Sequence, residues 1–333
     1  MNKYDFEEEK IKQTISKFNA KRVLLQMPQG LKPYAINLVK SIEDYGSSAI
    51  ISIDPCYGAC DIAVNEAEDL NADLIVHFGH SKMVTQTKIP ALYVETHSKI
   101  QLENSIIQAK NLLTEYNRIG LTTSIQHIDE LDNAKSLLTK LGKTVVIGNA
   151  GQLSYPGQVI GCNYSNAKSI ADKVDAFLFI GGGLFHALGI ALTTFKPTII
   201  IDPYDNRAYL ITEEAKKILN QRFTSIQTAK NAKTLGILIG LKPGQKHLEQ
   251  ALEVKTLAKK CGKSAFLLAG REINPDLLMD FPNIDAYINT ACPRISLDTP
   301  RKFQKPILTV NEFMVVCGEY SWENLIKEGL FVS

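Results

Sequence analysis

The chain has 333 residues, of which 45% are hydrophobic and 22% charged, and it carries a net charge of +2. That is the balance of a soluble globular protein long enough for two or three domains. So small a net charge excludes capture of nucleic acid or an anionic membrane by whole-molecule attraction.

The chain opens with "MNKYDFEEEKIKQTISKF", which carries acid where a secretion signal carries base. Phe6, Ile11, Ile15 and Phe18 recur at near-helical spacing, so the segment is expected to be an amphipathic helix. No apolar run approaches the roughly 20 residues of a membrane span. These features point to a cytoplasmic protein with no membrane partner and no direct nucleic-acid partner.

The same unit then recurs three times along the chain. The first copy starts at "KRVLLQMPQG" and continues through helix "PYAINLVKSIEDYG", strand "SAIISID", a helix around "VNEAEDLN", and strands "ADLIVHFGH" and "ALYVE". The second starts at "NRIGLTTSIQH" and passes through "DELDNAKSLLTKLG", "KTVVIGN", "NAKSIADKV", "DAFLFIGGG", "FHALGIAL" and "KPTIIIDPY". The third starts at "AKTLGILIGLKPGQ" and passes through "KHLEQALEVKTLAKKCG", "KSAFLLAG", "NPDLLMDF", "IDAYINTAC" and "KPILTV". Strands that alternate with helices and read as unbroken apolar runs predict parallel sheets covered on both faces. The expected fold is therefore α/β, with three homologous Rossmann-like domains over residues 1–112, 113–218 and 219–333.

Ligands of such sheets gather at the carboxyl ends of the strands. In chain order these ends carry "QMPQG", "DPCYGAC", "HFGHSK", "YPGQVIGCN", "IGGGLFH", "IDPY", "GLKPGQ" and "NTACPR". Cys60, Cys162 and Cys292 each lie at such an end, one per copy. If the three edges face a common pseudo-threefold axis, the thiols can converge on a central cluster. Three soft thiolates suit an iron–sulfur cluster better than zinc, whose structural sites take a fourth nitrogen or sulfur ligand. Each cysteine taken singly is better read as a small core residue than as a ligand. Cys261 and Cys317 are assigned to that role, and His77 and His80 are read as satisfied strand-end histidines.

Taken together, "YGACD", the "GC" after "YPGQVI", "GGGLFHALG", "IDPY" and "NTACPRISLD" resemble the archaeal diphthamide synthase family, the 2-(3-amino-3-carboxypropyl)histidine synthases. The resemblance runs from about Arg22 to Phe313 in order and spacing. It implies a homodimer of three related α/β domains, with Cys60, Cys162 and Cys292 as ligands of a 4Fe–4S cluster. It further implies that the cluster binds S-adenosylmethionine and, once reduced by an electron donor, splits its aminocarboxypropyl carbon–sulfur bond. The freed group is then added to a histidine of translation elongation factor 2. For S-adenosylmethionine the resemblance points to Gln26, Pro28 and Gly30, to Gly181, Gly182 and Gly183, and to His186, Asp202, Arg294 and Asp298. The bland readings are helix entry for "QMPQG", a tight turn for the glycines, and a salt bridge between Arg294 and Asp298. The family pattern assigns the ligand to the cysteine of "YGAC", which leaves Cys56 as a bystander. Rival readings are a quinolinate synthase-like 4Fe–4S dehydratase and a non-catalytic electron-transfer or scaffold subunit.

Overall fold

The computed structural model describes residues 3–298 and 302–331. The chain forms two compact units. The first holds residues 1–100, 125–129 and 242–244, and the second holds 101–124, 130–241 and 245–333.

In the first unit, β1 (Arg22–Gln26), β2 (Ser48–Ile51), β3 (Leu74–Phe78) and β4 (Ala91–Val94) form one parallel sheet in the order β2-β1-β3-β4. The two central strands read as unbroken apolar runs because both of their faces are covered. Side chains alternate across a strand, so Val23, Leu25, Val76 and Phe78 pack on one face with Ile11, Ile15, Leu38 and Ile42. Those four partners come from helices Glu8–Phe18 and Ala35–Asp44. Leu24 and Ile75 point the other way, against Ile62, Ala67 and Tyr93. The N-terminal helix forms with Ile11 and Ile15 buried, but Phe6 lies before its first turn, though buried, and Phe18, its last residue, is exposed.

The second unit contains two sheets. In one, β5 (Arg118–Thr123), β6 (Thr144–Val146), β7 (Ala176–Ile180), β8 (Thr198–Asp202) and β9 (Arg207–Leu210) run in the order β6-β5-β7-β8-β9. In the other, β10 (Thr234–Gly240), β11 (Ser264–Gly270), β12 (Ala286–Asn289) and β13 (Ile307–Thr309) run in the order β11-β10-β12-β13. The first four strands of each sheet are thus wound alike, second-first-third-fourth, and all pair in parallel. The fold is α/β with parallel-dominated sheets flanked by helices. β9 departs from expectation, because the tight turn after Asp202 returns it antiparallel to β8. Helix Thr212–Lys230 runs without interruption across residue 218.

One device recurs in all three sheets and escaped the motif reading. Asp73, Asp175 and Asp285 each stand one residue before the third strand. Each carboxylate accepts two backbone N–H groups at the start of the first strand: Lys21 and Arg22, Asn117 and Arg118, Lys233 and Thr234. These bonds favour the charged form and hold the carboxyls of Asp175 and Asp285 below the usual range. The sequence signal is the repeated Asp in "NADLIV", "KVDAFLF" and "NIDAYIN".

Between the two sheets of the second unit lies Arg222, fully buried in helix Thr212–Lys230. Its Nε and Nη2 donate to the two carboxylate oxygens of Glu312 at 2.7 and 2.6 Å. Nη1 also donates to the Ser296 carbonyl and Nη2 to that of Ile307. Glu312 in turn closes a capping box with Thr309 at the start of helix Val310–Val316.

In the first unit His97 lies between Asp129 (2.6 Å) and Glu95 (3.2 Å), and hydrogen bonds to the two carboxylates raise its pKa. A raised folded pKa contributes stability that is fully present below the ordinary histidine value of about 6.5 and is lost as pH rises through the folded value. Urea unfolding of wild type is therefore expected to show a stability drop as pH rises above about 6.5 that the His97→Gln variant lacks.

Candidate functional site

At the carboxyl end of the first sheet, Gln26 closes β1 and is register partner to His77 on β3. Its amide is fully used. Nε2 donates to the Asp61 carbonyl at 2.6 Å, while Oε1 accepts from the Ala63 N–H at 3.0 Å and faces His77 Nδ1 at 2.8 Å. Gln26 thus ties the loop that follows β2 to the sheet. Pro28 packs against Gly79, whose φ of +82° suits only glycine. Gly30 is exposed, with open space around it.

The loop after β2 carries Cys56 and Cys60. Cys60 is half-buried, and its carbonyl accepts from the Gly244 N–H at 2.8 Å. A side chain on Gly244 would come within 2.5 Å of Cys60 Cβ and 2.6 Å of its Cα. Next to Cys60, the buried Asp61 carboxylate pairs with Lys242 Nζ at 3.1 Å, and that ammonium sits 4.3 Å from the centre of the Tyr57 ring. Gly244→Ala is expected to push the Cys60 loop aside. The Cys60 thiol should then react with a thiol reagent at an altered rate while far-ultraviolet dichroism stays that of wild type.

Cys56 is buried, as are the strand-end histidines in part or whole. Burial, reinforced by the Asp61 carboxylate, pushes its thiol up to about 12. His77 Nε2 lies 2.9 Å from His80 Nδ1. Burial lowers His80 to about 4 and takes His77 well below the usual value, with His80 adding to the effect.

At the corresponding ends in the second unit, Cys162 lies in the tight turn Ile160–Asn163, closed by reciprocal backbone bonds of 3.3 and 3.2 Å. Thr123, the last residue of β5, anchors this turn by bonds with Gly157 and Val159. Cys292 follows β12. Its carbonyl accepts from Asn289 Nδ2 at 2.7 Å and from the Ile295 N–H at 3.0 Å, and Asn289 Oδ1 accepts from Ala291. Asn289, buried and fully used, was missed by motif reading; its only sequence signal is a polar residue closing an apolar strand.

The neighbours of these two cysteines meet. Gly161 lies against the Phe185 ring, where a Cβ would come within 2.7 Å of Cε1. The Arg294 guanidinium carbon stacks 3.5 Å from the centre of the same ring, and Nη1 reaches the Tyr164 hydroxyl at 3.4 Å. Gly189 is required here, because the Tyr164 ring fills the space its side chain would take.

The glycine loop follows β7, with Gly183 at φ +75°. Its N–H points to Asp202 Oδ2 at 3.4 Å, while Asp202 Oδ1 accepts from Tyr204 and Asp205. Asp202 therefore shapes the turn that supports the loop. Gly182 and Gly183 are exposed at the start of helix Phe185–Thr194, and His186 packs edge-on to Phe185. The side chain of Asp298 lies outside the described residues. No described helix is long and apolar enough to cross a membrane.

None of the six cysteines forms a disulfide. Cys60, Cys162 and Cys292 each offer a half-buried thiol, and the edge of the first sheet also carries Cys56, His77 and His80. The Cys60 and Cys292 loops are held through backbone carbonyls and the Cys162 loop by a tight turn, and thiols are the donors that a 4Fe–4S cluster takes.

Comparison with known proteins places this geometry among relatives. Residues 27–326 match the model of the diphthamide synthesis protein family. The chain is 34% identical over 332 residues to the 2-(3-amino-3-carboxypropyl)histidine synthase of Pyrococcus horikoshii, covering 97% of this chain and 94% of that protein. It is 32% identical to subunit 1 of the same enzyme in Schizosaccharomyces pombe, covering 97% and 76%. The crystal structure of Dph2 from Pyrococcus horikoshii with a 4Fe–4S cluster superposes with a TM-score of 0.86 at 34% identity, over 95% of this chain and 92% of that one.

Proposed function

Because the chain belongs to the diphthamide synthesis family, we propose that it is a 2-(3-amino-3-carboxypropyl)histidine synthase acting on a histidine of translation elongation factor 2. The observation that carries this reading is one half-buried cysteine, on a backbone-pinned loop, at the carboxyl edge of each sheet of a chain related along its whole length to named synthases. Cys60, Cys162 and Cys292 would hold a 4Fe–4S cluster. When bound and reduced, that group supplies the electron that cleaves the aminocarboxypropyl carbon–sulfur bond of S-adenosylmethionine.

The protein's own part is position and shielding. Arg294 offers a planar fork to the S-adenosylmethionine carboxylate, and its stacking on Phe185 holds that fork in one plane. The exposed Gly182 and Gly183 let a ligand approach the backbone at the start of helix Phe185–Thr194, with Asp202 holding the loop from behind. The family resemblance adds Gln26, Pro28, Gly30 and His186 as further residues for S-adenosylmethionine. The reading includes three α/β domains per chain, a homodimer, an external electron donor and a cytoplasmic setting.

The test is anaerobic cluster reconstitution, reduction with dithionite, and incubation with elongation factor 2 and S-adenosylmethionine labelled in the aminocarboxypropyl group. Label on a histidine together with methylthioadenosine supports the proposal. Release of 5′-deoxyadenosine refutes the choice of bond. A brown, reducible protein that transfers nothing would instead be a scaffold subunit.

A further inference from the structure

We propose that Cys56, His77 and His80 form a second metal site, separate from the three cluster cysteines, that binds a single zinc-class divalent cation. Their ligand atoms, one sulfur and two ring nitrogens, all lie within 4.8 Å of one another. A close Cys/His/His grouping is ordinarily read as a hydrogen-bonded pair beside a buried thiol. Three features of this one favour a cation.

The first is the tautomer of His77. Gln26 cannot turn its amide over, because Nε2 is committed to the Asp61 carbonyl and Oε1 to the Ala63 N–H. Its Oε1 therefore faces His77 Nδ1 and requires a proton there. His77 Nε2 is left with a lone pair directed at His80 Nδ1, 2.9 Å away. A metal-binding histidine is prepared in this way, with one nitrogen protonated and held by a fixed outer partner and the other presenting its lone pair.

The second is the combination of donors. One sulfur and two imidazole nitrogens suit zinc and its neighbours in the divalent series, and do not suit calcium or magnesium. Three protein ligands also leave a fourth tetrahedral position for water, the pattern of an open zinc site rather than a closed structural one.

The third is the setting. Cys56 and His77 are buried, and the ring of Tyr93 packs 5.0 Å from that of His77, so the site is walled by protein. The residues come from separate segments that the sheet brings together: Cys56 from the loop after β2, His77 from β3 and His80 from the turn beyond it.

Binding involves no redox change. The Cys56 thiol proton leaves to water as the sulfur–metal bond forms. The proton on His80 Nδ1 moves to Nε2, and the cation takes the place it held between the two rings.

The experiment uses the full chain, purified anaerobically and loaded with its cluster, then given zinc sulfate and desalted. Iron and zinc are counted by mass spectrometry, and zinc-edge X-ray absorption reads the ligand shell. The expected result is about one zinc per chain with iron unchanged, and a shell of one sulfur near 2.3 Å and two nitrogens near 2.0–2.1 Å. Cys56→Ser and His80→Ala should each weaken zinc retention at least about tenfold, the smallest effect expected even of an outer-shell partner. The wild-type spectrum identifies the ligands even if a variant fails to fold. No retained zinc overturns the proposal, as does a shell of two or more sulfurs accompanied by loss of iron, which would mean zinc had entered the cluster cysteines. Full retention by Cys56→Ser overturns it too. Because iron is counted separately, failure of this site and failure of the cluster assignment are distinguishable.

Discussion

Replacing any one of Cys60, Cys162 or Cys292 with alanine is expected to bleach the anaerobic protein and reduce aminocarboxypropyl transfer by well over 100-fold. Loss of an outer-shell partner already costs about 10- to 100-fold at a metal site, and a missing ligand costs more. Iron content and the visible absorbance check the first effect, and labelled elongation factor 2 the second. Cys261→Ala is the control. Cys261 hydrogen-bonds with Cys317, whose thiol burial and this contact push up to about 12, and the pair has no place at the strand ends. Its loss should leave iron and transfer at wild-type levels.

Arg222→Ala is expected to destabilise the second unit by about 3–5 kcal/mol, since removing one partner of a buried ion pair leaves an uncompensated charge. Both side chains are essentially inaccessible to water, at 0% and 1% exposure, so solvent cannot take over the pairing. Glu312→Ala should cost at least as much, because it also removes the capping box with Thr309. The double variant Arg222→Met/Glu312→Leu is expected to recover most of the loss, because replacing both charges with apolar side chains removes the desolvation cost. Trp322, the one tryptophan of the chain, packs on Phe223 next to Arg222, so its fluorescence during urea unfolding reports this region directly.

That the three sheets are largely parallel and covered on both faces was readable from the sequence, because such strands leave apolar runs such as "VLL", "AFLFI" and "LGILIG". The helix pattern was less legible where local chemistry is neutral. Helix Thr212–Lys230 has only Arg222, Ile226 and Ala229 buried, and one of these is a charge that periodicity counts as surface. β9 carries "RAYL", half-exposed at a sheet edge, and nothing in four such residues distinguishes a returning strand from a loop.

The candidate site divides along the same line. Cysteines at strand ends can be located from sequence because the end of an apolar run marks the carboxyl edge of a parallel sheet. What surrounds them depends on register and on loops that meet across tens of residues. Gln26 and His77 are 51 positions apart and become neighbours only because β1 and β3 pair in that register. Gly161 and Arg294 meet on Phe185 for the same kind of reason. The sequence by itself determined the repeated α/β unit, the strand-end positions of Cys60, Cys162 and Cys292 and the family, since these rest on local periodicity and on motif order. Only the tertiary structure decided that Gln26 is a brace with no free amide atom, that Cys56 keeps company with two histidines, and that Arg294 lies flat on an aromatic ring. Those outcomes turn on distances of a few ångströms between side chains, which a one-dimensional pattern does not encode.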